Sequence, residues 1–194
     1  MKRVFALFIV MLFAGTAAAQ VKWNFDAAHS NINFSVRHLT ITDVTGNFGK
    51  FEGSVESQSE KDFTDAKISF TIDVSSINTG IPMRDDHLRS ADFFDAEKHK
   101  NITFESTSMK KTGEGTYELQ GNFTMRGKTH PITLAVTHNG IANDGRGNIK
   151  TGFTVSGQLN RQEYGVSWSK TLDTGGLMVD NIVKLLCNIQ MVKL

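Results

Sequence analysis

Apolar and polar positions alternate along most of the chain after residue 20. Ile32, Phe34 and Val36 are separated by Asn33 and Ser35, and Ile68, Phe70, Ile72 and Val74 by Ser69, Thr71 and Asp73. Leu119, Phe123 and Met125 share one parity with Gly121, and Ile132, Leu134 and Val136 repeat it, as do Phe153 and Val155. The last run carries Val183, Leu185, Cys187, Ile189 and Met191. Successive side chains on a strand point to opposite faces, so a period of two gives one apolar and one wet face. That is the pattern of antiparallel strands, because parallel strands covered on both faces are apolar continuously.

Reversals separate the runs. Gly113-Glu114-Gly115, Arg126-Gly127-Lys128 and Asn143-Asp144-Gly145-Arg146-Gly147 supply residues that tolerate positive φ. The spacing predicts about eight strands, which close into a barrel or stack as a sandwich. A barrel is favoured, since it removes sheet edges and the chain carries only two prolines, Pro82 and Pro131, to protect edges. Gly46, Gly49 and Gly53, between Val44 and Ser57, are expected to mark bends that help closure. Residues 83–98 break the period. Met83, Leu88, Ala91 and Phe94 fall roughly on a helical stripe behind Pro82, which predicts a helix or a pair of helical turns over one end of the barrel.

Composition changes this picture at the N-terminus. Lys2 and Arg3 precede an apolar run from Val4 to Ala14, followed by the small residues Ala17-Ala18-Ala19. This is the layout of a secretory signal, with cleavage expected after Ala19, and the run is too short to span a bilayer. Residues 20–194 then form a single domain of about 35% apolar content, with 19 basic against 20 acidic residues. A near-neutral domain is not a general nucleic-acid binder. One cysteine, Cys187, excludes a disulfide framework and is expected to be buried in its apolar run.

Candidate chemistry is sparse. The six histidines form no His-x-x-x-His pair, and adjacent His29 and Ser30 point to opposite faces of a strand. Histidines bonded locally or exposed are the simpler reading, with a metal site assembled from separate strands as the alternative. There is no nucleophile elbow, phosphate loop or dinucleotide fingerprint, so no cofactor and no metal is expected. The cluster Arg84-Asp85-Asp86-His87-Leu88-Arg89 reads either as a solvated helix face, with Arg89 paired to Asp85 or Asp86, or as a polar latch at the barrel mouth. Arg161 is expected to reach back to a carboxylate. The eleven phenylalanines after residue 20 fit a packed core or an apolar tunnel equally well.

Several stretches resemble the YceI family of secreted, lipocalin-like proteins. They include Trp23-Asn24-Phe25-Asp26-Ala27-Ala28-His29-Ser30, Val44-Thr45-Gly46-Asn47-Phe48 and Arg84-Asp85-Asp86-His87-Leu88-Arg89-Ser90-Ala91-Asp92-Phe93-Phe94-Asp95. Gly121-Asn122-Phe123-Thr124-Met125-Arg126-Gly127 and Leu159-Asn160-Arg161-Gln162-Glu163-Tyr164-Gly165 extend the match. Lys100 stands where the family often has proline, and Tyr164 where phenylalanine is more usual. The resemblance implies an extended eight-stranded antiparallel barrel with a long apolar pocket for polyisoprenoid or quinone-like lipids, in a periplasmic or secreted protein; for a guest so apolar, transient exchange with a membrane is the expected route of loading.

Parity predicts an inward set of Ile32, Phe34, Val36, Phe70, Ile72, Phe123, Met125, Leu134, Val136, Phe153 and Val155. Arg37, Arg84 and His87 are candidates to meet a polar head at the mouth. Two other functions stay open: an enzyme acting on a lipid-like substrate with His29 or His38 as base, and a β interaction module with a filled core. The oligomeric state is open, a dimer included.

Overall fold

The computed structural model describes residues 20–173 and 175–194; the leader read over residues 1–19 lies outside them. The strands are β1 (Val21–Phe25), β2 (Asn31–His38), β3 (Thr42–Phe48), β4 (Phe51–Ser57), β5 (Lys67–Asp73) and β6 (Ile77–Asn78). After the helix α1 (Pro82–Arg89) come β7 (Asn101–Gly113), β8 (Thr116–Met125), β9 (Lys128–Asn143), β10 (Ile149–Asn160) and β11 (Val179–Lys193).

These segments build eight antiparallel staves, because three staves are each bent into two pieces. β1 and β2 lie in sequence along β11, with Phe25 opposite Met191 and Ile32 opposite Cys187. A single turn of 3-10 helix, Ala27–His29, separates them. β3 and β4 continue one another antiparallel to that stave, β3 on β2 and β4 on β1. β5 and β6 do the same on β4 and β3, with the turn Val74–Ser76 between them. The β1–β11 pairing closes the barrel. Closure satisfies the backbone groups that an open sheet would leave at its edges.

The glycines act in two ways. Gly49 sits at the bend between β3 and β4, as expected. Gly46 and Gly53 do not bend the chain; they lie within strands under aromatic rings. A Cβ on Gly46 would sit 2.5 Å from Cζ of Phe34, its cross-strand partner, and one on Gly53 2.5 Å from the Ser69 carbonyl oxygen. Gly121 likewise makes room for the Phe104 ring, 2.3 Å from an added Cβ. Inward phenylalanines therefore fold flat across the wall. The β8–β9 reversal is the expected one, with Arg126 at φ 50° and Gly127 at φ 73°.

The two ends are built differently. The lower end is floored by the loop 58–66. Phe63 and Ala66 are buried there, and Trp23, with no exposed surface, donates from Nε1 to Ser57 Oγ at 2.9 Å. At the upper end strand pairing stops early. β6 covers only Asn47 and Phe48 of β3, and β9 meets β10 only from Ala135 onward. Pro131, opposite Asn122 of β8, falls in the part of β9 that β10 does not reach, where its missing N–H leaves no gap in the ladder. The turn 161–165 fills that place.

α1 is shorter than expected, and only part of the expected stripe faces in: Leu88 and Phe94 pack against the core. It runs from Pro82 to Arg89, and residues 91–94 and 96–98 form turns. Met83, expected on the same stripe, is 82% exposed, whereas Asp85 is buried. Its carboxylate accepts from the Thr79 backbone N–H at 2.8 Å and hydroxyl at 2.6 Å. Two turns are too few for a stripe to decide orientation against two such bonds.

Candidate functional site

The inward faces enclose a cavity of about 230 Å³, on the order of fifteen times the space that one water needs. All eleven residues assigned inward by parity lie on its wall. β7 contributes Ile102 and Phe104, and β11 contributes Val183, Leu185, Cys187 and Ile189, by the same alternation. Every phenylalanine of the described residues except Phe51 lines it, so these rings serve a tunnel and a core together. Asn33 alone among the lining residues carries a polar amide. The wall offers dispersion contacts and almost no hydrogen bonds, which selects hydrocarbon over polar guests.

Phe63 closes the lower end. Its ring lies 5.8 Å from Trp23, 4.7 Å edge-on from Phe153 and 5.2 Å from His138. His138 stacks on Phe153 at 4.9 Å. The Thr151 hydroxyl donates to the Gly140 carbonyl, so at 2.9 Å it accepts from His138 Nε2–H. Burial pushes the His138 pKa below its usual 6.5. The unfolded chain therefore takes up this proton more readily than the folded one. Stability is fully present above about pH 6.5 and falls as pH drops toward the folded-state value. Tm is expected to decline as pH falls below about 6.5, and His138→Gln to remove part of that slope. Asp26, held below its usual 3.8 by hydrogen bonds from Gln190, His29 and Lys150 that outweigh desolvation, acts below this window. Equal slopes in thermal melts of the two proteins would refute the assignment.

At the upper end the lining reaches the rim through half-buried Val36 and Val179. The three residues expected to meet a polar head do not converge there. Arg84 is turned onto Thr79, donating to its hydroxyl at 2.7 Å and its carbonyl at 2.8 Å. His87 pairs with Asp92 at 3.1 Å and packs edge-on against Phe93 and Trp168. Arg37 pairs with Asp43 at 3.0 Å and lines a separate, more open cleft with Thr40, Leu177 and Asp180. None of the three is on the cavity wall, although Arg37 directly follows Val36, which is. Arg89 makes its pair with Asp86, one of the two partners expected.

Arg161 departs from expectation. It is 4% exposed and reaches no carboxylate. Its guanidinium donates to the carbonyls of Asp180 at 2.8 Å, Val166 at 2.7 Å, Trp168 at 2.8 Å and Val179 at 3.1 Å. It thus ties the 161–168 turn to the start of β11. Five donors in a planar fork suit several carbonyls as well as one carboxylate. Beside it Tyr164 packs edge-on against Phe123 and His130, and its buried hydroxyl has no hydrogen-bond partner. Burial pushes its pKa up to about 12. Tyr164→Phe removes an orphan hydroxyl without changing the ring, and is expected to leave Tm unchanged or raise it by a few degrees. A fall of more than about 3 °C in calorimetry would mean that the hydroxyl has a partner.

Cys187 is half-buried and faces the cavity, and burial pushes its thiol up to about 11, so it stays protonated and unreactive. No histidine of the described residues lines the cavity: His29 is exposed and paired with Asp26, and His38 ends β2 at the rim. Neither of the two bases named for an enzymatic reading, His29 and His38, is on the cavity wall. Among the described residues no group of three or more His, Cys, Asp or Glu is arranged to hold a metal.

An eight-stranded antiparallel barrel with an apolar interior, floored at one end, is the architecture of a lipocalin-like protein. The family profile of the YceI-like domain matches residues 23–191, and the chain belongs to that family. A UPF0312 protein of Staphylococcus epidermidis is 38% identical over 164 residues, spanning 84% of this chain and 92% of the relative. Among solved structures, BcnA of Burkholderia cenocepacia superposes with a TM-score of 0.73 at 25% identity, over 86% of this chain and 98% of BcnA. A polyisoprenoid-binding domain from Saccharophagus degradans, implicated in plant cell wall breakdown, superposes with a TM-score of 0.62 at 16% identity, over 87% of this chain and 97% of that domain.

Proposed function

We propose that the protein is a non-catalytic, periplasmic or secreted binding protein that holds or shuttles a long isoprenoid or quinone-like lipid in its barrel. The observation that carries this reading is the cavity: apolar but for Asn33, floored by Phe63 and reaching the rim at Val36 and Val179. A void of this size argues against a module with a filled core. The polyisoprenoid-binding neighbour shares this fold, and the Lys2-Arg3 start with its apolar run supports export.

The energetics favour exchange over capture from water. Hiding a forty-carbon chain from water contributes about 30 kcal/mol at ~0.8 kcal/mol per CH₂. That exceeds the practical ceiling of non-covalent affinity, ~18–21 kcal/mol. The working equilibrium is membrane against barrel, two apolar hosts in near balance. Arg37, beside Val36 at the rim, is the best placed of the three polar candidates to meet a head group, with Asp180 and Thr40 across the same cleft. Native mass spectrometry of protein purified without detergent tests the reading. A bound prenyl lipid, or uptake of added ubiquinone, is the expected result. A ligand-free mass with no uptake overturns it.

A further inference from the structure

We infer that the upper rim is a docking surface for a lipid bilayer, on which Ile41, Ile81, Met83 and Leu177 enter the membrane interface. The inference rests on the lipid-binding reading for its purpose, though not for its geometry. Of the eight large hydrophobics exposed among the described residues, four stand on turns at this end: Ile41 is 77% exposed, Met83 82%, Ile81 50% and Leu177 36%, whereas Leu186 and Ile182 lie along β11 and Ile141 and Leu194 near the floor. They sit on three connected pieces. The turn between β2 and β3 is tied to the segment before β11 by Leu39 N–H donating to the Met178 carbonyl at 2.9 Å. The approach to α1 runs on from β6 beside β3, where the Thr79 methyl lies 2.8 Å from a Cβ added to Gly46. The apolar tips thus stand at the end of the barrel where Val36 and Val179 bring the cavity lining to the rim, though none of the four is itself on the cavity wall.

The shape and charge of the rim choose the occupant. A stable protein interface takes roughly 20–30 residues a side over a continuous patch. Four convex tips on turns fall far short of that, whereas interfacial insertion needs only a few apolar side chains. The charges between the tips balance: Arg37 pairs with Asp43 and Arg89 with Asp86, and the further bases Arg84 and Lys170 stand against the acids Asp85, Asp173 and Asp180. A rim without free basic excess matches a zwitterionic bilayer and gives binding that salt weakens little. Docked this way, a prenyl chain passes from bilayer to cavity without crossing water.

The double variant Ile41→Asp, Met83→Asp tests this, since both side chains are solvent-exposed and off the cavity wall. Two readouts are taken: flotation with phosphatidylcholine vesicles, and the rate of ubiquinone uptake from those vesicles against uptake from detergent micelles. The variant is expected to float about tenfold less and to load from vesicles about tenfold more slowly. Micelle loading should be unchanged. Wild-type flotation and vesicle loading in the variant would overturn docking. So would a concentration-dependent wild-type dimer that the variant loses without any vesicle binding. Failure of both proteins to load from micelles would overturn the lipid cargo instead; flotation of the wild type and its loss in the variant would then still support docking.

Discussion

Replacing Arg161 with alanine is expected to lower Tm by about 10 °C. The side chain is almost wholly buried and serves four carbonyls at once, from Val166, Trp168, Val179 and Asp180. Alanine leaves these acceptors without donors in a place that water reaches poorly, at ~1–3 kcal/mol for each one left unpaired. Local relaxation recovers part of this, and a net cost of ~3–5 kcal/mol is the scale for breaking a buried charged network. In a chain of this length each kcal/mol moves Tm by ~2–4 °C. Arg161→Lys should rescue little, because an ammonium cannot spread donors in a plane across four acceptors. Calorimetry reads the effect, and a variant melting within about 2 °C of the wild type would show that the carbonyls find other partners.

Phe34→Asp is expected to abolish lipid retention while leaving a folded barrel. Phe34 is half-buried, lines the cavity and spreads its ring over Gly46, so an aspartate there puts a carboxyl where a chain would lie. The half-exposed position lets the carboxyl hydrate when the cavity is empty, which spares the fold but costs the guest its contacts. Leu134→Asp provides the contrast. Leu134 is 8% exposed, and its Cδ2 lies 2.4 Å from a Cβ added to Gly157 on β10. A carboxylate in that contact should prevent folding or lower Tm by more than about 10 °C. Circular dichroism reports folding and native mass spectrometry reports retention. Retained lipid in folded Phe34→Asp would place the guest away from this wall.

The strand faces were legible because alternation is a local signal. Ile32, Phe34 and Val36 need no knowledge of their partners to share a face, and closure turns that shared face inward. The ends of the barrel were not legible, because they depend on contacts between segments distant in sequence. Phe63 lies in a polar stretch without periodicity, and only the loop path brings it to Trp23 and Phe153. Asp85 looked like a surface carboxylate until Thr79 turned back to donate to it. Arg84 and His87 share the most specific motif of the chain, yet they hold the α1 end together and do not line the cavity. Arg161 was expected to reach back to a carboxylate; it reaches back to carbonyls instead, because sequence does not distinguish the two as its partners.

The Phe63 floor has one further consequence. A tube stopped at its base fills and empties through one aperture, so its contents obey the order of a stack. For the lipid proposed as cargo, the hydrocarbon tip would go in first and come out last, and the head group would never turn to face the floor. The distance from Phe63 to the rim then works as a gauge. Chains that reach the floor with the head at the rim fit, shorter ones leave void at the base, and longer ones must fold back or remain partly outside. Mutating the floor to a smaller side chain would reset the gauge without touching the aperture, which separates choice of chain length from choice of head group within one barrel.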